Sequence, residues 1–291
     1  MLHYIYNTKE APMGGNIFKD RATSIEAQNI QPTIQAYREF LSSVFPQKAE
    51  AFNFFEPVGS AGKKPVSGDL DLAIDSSHIV ESFTGDELAK WSVNYDDWND
   101  LYTKIHKRAR TATYEMSKMR ALLTLISEKM SAAGMDIGPR VTAGNIFSCF
   151  PQHGPDGTTT GDSVQIDWMV GDIDWLRWSY FSCSDTNLKG LHRTQFIVAC
   201  LSAKNYTFNH FSGIKEKGTS DWTIDAPKDA VKLLSDLYGE LDISQTYKFK
   251  DLHLWLHNTT SPAEYREVII RYRGILELAK AHIPEVITAQ A

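Results

Sequence analysis

The amino-acid sequence predicts an α+β fold, in which a β-sheet with a long helix between its strands is followed by a helical C-terminal region. Three features predict it. Acidic and apolar side chains alternate over residues 69–74, the period-2 pattern of a strand with one buried face. Two more strand-like runs, 140–150 and 163–170, flank a loop rich in glycine, threonine, proline and aspartate. Apolar residues recur at helical spacing over 96–133 and again in several segments after residue 182.

The segments before and after the acidic strand are read from their start and stop signals. A helix is predicted from Gln31, with Pro32 in its first turn, up to the proline at position 46. The phenylalanine-rich run 52–58 is predicted to be a strand that ends at a Gly-Ser turn. Thr84 and the glutamate three residues later fit a capping box, so a short helix is predicted there.

The long inserted helix is predicted over residues 96–133, with Gly134 as its C-terminal stop. Its apolar residues form one stripe, and cationic side chains lie off that stripe. These cations are Lys104, Lys107, Arg108 and Arg110. Such a face can follow a nucleic-acid backbone, and it can equally be the solvated face of an amphipathic helix.

Helices are predicted at 191–206, 227–238 and 247–257. A last helix is predicted to open at Ser261, where serine, proline and glutamate form a capping box. Because the predicted elements after Ser182 are all helices, we predict a first domain over residues 1–182 and a helical domain over 183–291.

Composition restricts the class of protein. The chain has 291 residues, 42% of them hydrophobic, and a net charge of −6, which fits a folded protein without a generally basic surface. Cys149, Cys183 and Cys200 show no metal-ligand or disulfide spacing, so they are predicted to be reduced thiols. No apolar run reaches the roughly 18 residues of a membrane span. We therefore expect a soluble, cytoplasmic protein.

The stretch from position 57 to 75 carries the predicted chemistry. On a strand, Asp69 and Asp71 point to the same face, and two neighbouring carboxylates repel each other unless a cation lies between them. Mg²⁺ prefers a few carboxylate oxygens together with substrate phosphates. Upstream, Gly59 and Ser60 form a turn whose backbone N–H groups suit a phosphate.

Gly59-Ser60, eight intervening residues and Asp69-x-Asp71 together resemble the signature of the polymerase-β-like nucleotidyltransferase superfamily. That family includes poly(A) polymerases, CCA-adding enzymes, cyclic-oligonucleotide synthases and aminoglycoside nucleotidyltransferases. The resemblance covers the palm-like core of such enzymes, and it implies that the predicted sheet is a mixed β-sheet into which the long helix is inserted.

The resemblance implies a third metal-binding carboxylate on a later strand. Asp167 lies in the apolar run 164–170, 96 positions after Asp71, and an acid within an apolar strand requires a compensating partner or ligand. Asp172 and Asp174 are the alternatives, ranked below it because they follow the strand.

The resemblance also implies the roles of the site residues. Asp69, Asp71 and Asp167 would hold two Mg²⁺ ions, with Mn²⁺ as the alternative metal. The glycine and serine of the turn would hold phosphate oxygens of an NTP. Lys63, in the loop, and Lys204, on a later helix, are candidate triphosphate ligands, although either could be a plain surface lysine.

The reaction implied is transfer of NMP from an NTP to a hydroxyl group with release of pyrophosphate. The basic helix face favours an RNA 3′ end, of tRNA or another RNA, as the acceptor. The alternatives are synthesis of linear or cyclic oligonucleotide signals and transfer to a protein or small molecule. From a different class of protein, the chain could be a catalytically silent binder. The intact carboxylates argue against this alternative, because buried acids without a metal cost stability.

Overall fold

A computed structural model describes residues 17–18, 20–109, 113–184, 188, 190–219 and 221–288. Within these ranges the chain has the α+β fold that the sequence predicts. Its strands are β1 (Ile25–Glu26), β2 (Glu56–Pro57), β3 (Val66–Ser67), β4 (Leu70–Asp75), β5 (Asp136–Ile137), β6 (Phe147–His153), β7 (Thr159–Gly171), β8 (Tyr206–Asn209) and β9 (Gly213–Glu216). Its α-helices are α1 (Ala27–Val44), α2 (Ser76–Ile79), α3 (Gly85–Ala89), α4 (Tyr95–Arg108), α5 (Tyr114–Ala132), α6 (Ile173–Ser179), α7 (Gly190–Ala203), α8 (Pro227–Tyr238), α9 (Phe249–Thr259), α10 (Pro262–Leu278) and α11 (Glu285–Thr288).

The central sheet has five strands in the order β2-β4-β7-β6-β5. β4 and β7 are parallel, whereas every other pair in this sheet is antiparallel. The predicted hairpin is present as β6 and β7, and its strands continue further into the connecting loop than the sequence indicates. The first strand begins only at Phe147, so residues 140–146, predicted to be part of it, are not in a strand. One face of the sheet is apolar and packs into the main hydrophobic core, as the period-2 pattern predicts. The β4 and β7 residues of that face are Leu70, Leu72, Ile74, Val164, Ile166, Trp168 and Val170.

The segments before β4 differ from the prediction. Helix α1 begins at Ala27, four residues before the expected start, so that Pro32 lies inside the helix. The phenylalanine-rich run is not a strand: residues Pro46–Phe54 form a 3₁₀-helix, and only Glu56–Pro57 pair with the sheet. Aromatic packing accounts for this, because Phe52 lies against the rings of Trp91 and Trp168 in the core.

The predicted long helix is wrong as a single element, because the chain forms two helices, α4 and α5, that pack on each other. Helix α4 ends at Arg108, and the next residue, Ala109, has an extended backbone. Helix α5 begins at Tyr114, and the side chain of the preceding Thr113 accepts a hydrogen bond from the N–H of Met116. Both helices turn apolar residues toward the same core, so the sequence shows one stripe across two elements.

The C-terminal part contains the predicted helices, here α7 to α10, and Ser261 forms the expected capping box. The sequence prediction missed the hairpin of β8 and β9. Apolar side chains form one cluster over residues 25–170 and another over 175–287, while the domain boundary at residue 182 stays a prediction. In the described ranges, none of the helices is long and apolar enough to cross a membrane.

Candidate active site

Three carboxylates meet where β4 and β7 run side by side. Asp71 is paired in register with Asp167, and parallel neighbours in register point to the same face of a sheet. Asp69 comes just before β4. Asp69, Asp71 and Asp167 each offer a carboxylate oxygen, and these atoms all lie within 4.8 Å of one another. The structure thus brings together the three acids that the sequence singled out.

The carboxylates disfavour one another's ionisation. Burial raises the pKa of Asp71 well above its ordinary value, and the charges of Asp69 and Asp167 raise it further. Burial likewise raises the pKa of Asp167 to about 8; a hydrogen bond from Gln165 opposes this shift, and the charge of Asp69 adds to it. Charge repulsion within the cluster therefore adds to the cost of burying the ionised carboxylates of Asp71 and Asp167.

A hard divalent cation fits this donor set. Three carboxylate oxygens in close proximity are ligands of the kind that Mg²⁺ and Mn²⁺ take in proteins. Burial and the neighbouring charges raise the pKa values of Asp71 and Asp167, and a bound cation would oppose both effects because it favours the ionised carboxylates.

The Gly-Ser turn lies directly against Asp71. Val58 donates its backbone N–H to the carbonyl of Asp71 at 2.9 Å, and the next residue, Gly59, has a φ of 65°. A Cβ at position 59 would lie 2.6 Å from Oδ2 of Asp71. Glycine is therefore required here for its backbone conformation and for this close approach. The backbone carbonyl of the following residue, Ser60, accepts a hydrogen bond from Ser67 at 3.3 Å.

Gln165 contacts the cluster, although it was not among the site residues predicted from the sequence. Its Nε2 donates to both oxygens of Asp167, at 2.9 Å and 3.0 Å. Two residues apart on β7, the side chains share a face of the sheet, so the period-2 rule that located the acids could also have located this glutamine.

Tyr180, which follows α6, is a second group that sequence reasoning missed. Burial raises the pKa of its hydroxyl, the charges of Asp71 and Asp167 raise it further, and a hydrogen bond with Asn145 opposes the shift. The ring stacks on His210 with 4.3 Å between centroids. This hydroxyl is therefore a neutral group beside the carboxylates.

The alternative acids have structural partners. Asp172 caps α6 by accepting a hydrogen bond from the N–H of Trp175 at 2.8 Å. Asp174 pairs with Arg177 at 3.0 Å, and the same guanidinium binds Glu56 through two further hydrogen bonds. Among the described residues, neither acid belongs to the cluster of Asp69, Asp71 and Asp167, and the role of Asp167 as the third metal ligand stays a prediction.

The two candidate phosphate-binding lysines lie in different surroundings. The Nζ of Lys63 is 4.8 Å from the ring centroid of Phe181, the residue that forms a β-bridge with Gly59. Lys63 is therefore next to the turn. By contrast, Lys204 pairs with Glu264 at 2.9 Å and lies over the ring of Tyr238. The structure thus does not bring Lys204 together with the turn, and its triphosphate role stays a prediction.

The predicted basic face lies at the end of α4. Lys104, Lys107 and Arg108 are exposed, in the last two turns of the helix. Cations at a helix C-terminus also interact favourably with the helix dipole. Arg110 lies outside the described residues.

Comparisons with known proteins found weakly similar solved structures and no related sequence. No protein-family model and no curated protein matches the sequence. Among solved structures, the chain is similar to Leishmania infantum polymerase beta in a ternary P/T complex, with 12% identity and a TM-score of 0.38 over 86% of this chain and 79% of that one. The ternary gap complex of that polymerase gives 11% identity and a TM-score of 0.36, over 90% and 69% of the two chains. Likeness at this level carries no functional argument, so the proposal below depends on the site.

Proposed function

We propose that this protein is a metal-dependent nucleotidyltransferase, which transfers NMP from an NTP to a hydroxyl acceptor and releases pyrophosphate. One observation carries the proposal. Asp69, Asp71 and Asp167 bring carboxylate oxygens within 4.8 Å of one another, beside a turn whose Gly59 packs against Asp71. Carboxylates next to a backbone suited to phosphate are the arrangement that phosphoryl transfer requires.

The residues of the turn and of the carboxylate cluster have different roles in this reaction. The backbone of Gly59 and the backbone and hydroxyl of Ser60 hold phosphate oxygens, and Lys63 adds a cation beside the turn. The acceptor oxygen forms a bond to the α-phosphorus while the bond from that phosphorus to the pyrophosphate oxygen breaks, and the acceptor's proton passes to a carboxylate oxygen of Asp167. Asp69, Asp71 and Asp167 would hold divalent cations, which would supply positive charge to neutralise the phosphates.

The acceptor we favour is an RNA 3′ end. The exposed cations Lys104, Lys107 and Arg108 support this choice, because they offer positive charge to a phosphate backbone on a protein whose net charge is −6.

The reaction is tested by incubating the protein and Mg²⁺ with each α-labelled NTP, with and without total RNA, and separating the products by size. Wild type is expected to transfer label, whereas Asp69→Asn and Asp71→Asn abolish transfer. Asp174→Asn removes an acid that pairs only on the surface of α6 and serves as the matched control. Equal labelling by wild type and both cluster variants would exclude the proposed reaction.

The same products identify the acceptor. Label on RNA supports the favoured acceptor, short products from NTPs alone indicate an oligonucleotide synthase, and label on a protein band indicates protein modification. For an RNA acceptor, the double variant Lys107→Glu/Arg108→Glu is expected to weaken RNA labelling and reduce its salt dependence. An unchanged rate and salt dependence would exclude this face as the RNA contact.

A further inference from the structure

Gln165 occupies a particular position relative to Asp167. The Nε2 atom is 2.9 Å from one carboxylate oxygen and 3.0 Å from the other. A nitrogen that is hydrogen-bonded to both oxygens and nearly equidistant from them lies near the plane that bisects the carboxylate, in front of the two oxygens. Gln165 and Asp167 are 2% and 4% exposed, so both side chains are enclosed by protein.

The orientation of this amide is fixed from its other end. Oε1 of Gln165 accepts a hydrogen bond from the backbone N–H of Ile17 at 3.0 Å. Turning the amide over would direct its oxygen at the Asp167 carboxylate, so that two acceptors would face each other. It would also direct the NH₂ at the Ile17 N–H, so that two donors would face each other. Both neighbours therefore hold the NH₂ group toward Asp167.

We propose that Gln165 determines metal specificity by preventing Asp167 from chelating a cation through both of its oxygens, an inference that rests on the proposed metal-dependent function. An ion bound by both oxygens must lie about 2.3–2.6 Å from each, in front of the two oxygens and in the same bisecting plane near which Nε2 lies. The ion and the amide nitrogen exclude each other. Asp167 is left with the outward lone pairs of its oxygens, each of which serves one bond to a cation.

This restriction distinguishes between cations of the same charge. Ca²⁺ takes six to eight oxygens and readily accepts bidentate carboxylates, whereas Mg²⁺ keeps near-octahedral geometry with carboxylates and water. A site whose buried carboxylate cannot chelate therefore favours Mg²⁺, and also Mn²⁺, over Ca²⁺.

The test measures binding of Mg²⁺, Mn²⁺ and Ca²⁺ to the intact chain by isothermal titration calorimetry, without nucleotide. Gln165→Ala removes the amide and opens the chelating position. Gln165→Met fills the same space without donating a hydrogen bond. Gln152→Ala is the matched control, since Gln152 is another buried glutamine of the same sheet, and its Nε2 binds Thr23 and two backbone carbonyls instead.

The affinity ratio of Ca²⁺ to Mg²⁺ is expected to rise about 10- to 100-fold in Gln165→Ala. It should stay near the wild-type ratio in Gln165→Met and Gln152→Ala. An unchanged ratio in folded Gln165→Ala, or an equal rise in Gln152→Ala, overturns the proposal. Cation binding by wild type without nucleotidyl transfer overturns only the proposed function, whereas a wild type that binds none of the three cations overturns both.

Discussion

Replacing Gly59 with alanine adds one methyl group, which has two effects: it strains the backbone and it crowds the carboxylate of Asp71. Alanine must adopt a φ of 65°, which costs about 1–2 kcal/mol of folding free energy. Its Cβ would also lie 2.6 Å from Oδ2 of Asp71, so the carboxylate must retreat until the contact is at least 3.0 Å, and 3.4 Å for an ordinary one. Functional groups need to be held within about 0.5 Å of their productive positions, so we expect cation affinity to fall by about 10- to 100-fold.

Gly62 provides the matched control within the same turn. Its φ is 72°, and a Cβ there would meet nothing within 4 Å. Gly62→Ala should therefore lose a similar amount of stability in urea unfolding with EDTA, but keep wild-type affinity for Mn²⁺ in calorimetry. If both variants bind Mn²⁺ with equal affinity, the contact between Gly59 and Asp71 does not position the carboxylate.

Three further predictions concern stability. Between pH 3.8 and about 8, folded Asp167 retains a proton that the unfolded chain has released, so stability in EDTA should fall as pH rises, by up to about 1.4 kcal/mol per pH unit for this proton. Urea titrations of wild type and Asp167→Asn should show a shallower decline in the variant, and equal slopes would contradict the assignment. Tyr37→Phe leaves Ser148 and the indole N–H of Trp168 without their hydroxyl partner in the core, and should cost about 1–3 kcal/mol in the same assay; no change would mean that other groups replace the hydroxyl. Ser261→Ala removes the capping box of α10 and should lower stability by about 1 kcal/mol, whereas restoration by threonine would confirm that capping is the cause.

Local patterns predicted the parts of the structure that local forces determine. The alternation over β4 located the face that carries Asp71, and capping residues located the starts of α3 and α10. In these places the side-chain period or a cap is sufficient to specify the element.

Other features depend on packing between distant segments. The phenylalanine-rich run becomes a 3₁₀-helix because Phe52 packs against Trp91 and Trp168, which are distant in sequence. The continuous apolar stripe made α4 and α5 resemble a single helix in the sequence. The capping residue Thr113 is a sequence signal for the start of the second helix. The approach of Gln165 to Asp167 follows from the strand period, but its anchor at Ile17 depends on a tertiary contact.

The parallel pairing of β4 with β7 has a consequence for how the protein folds. Asp71 and Asp167 lie 96 positions apart and become neighbours only when this long loop of chain closes. The β6–β7 hairpin can form locally, but docking it onto β4 requires the intervening segment to be ordered or bypassed, which raises the entropic barrier to folding. During synthesis, β4 therefore leaves the ribosome before β7, and the edge of β4 that pairs with β7 stays unpaired until β7 has been made. A cation that binds all three acids would then favour the final docked state over every earlier intermediate.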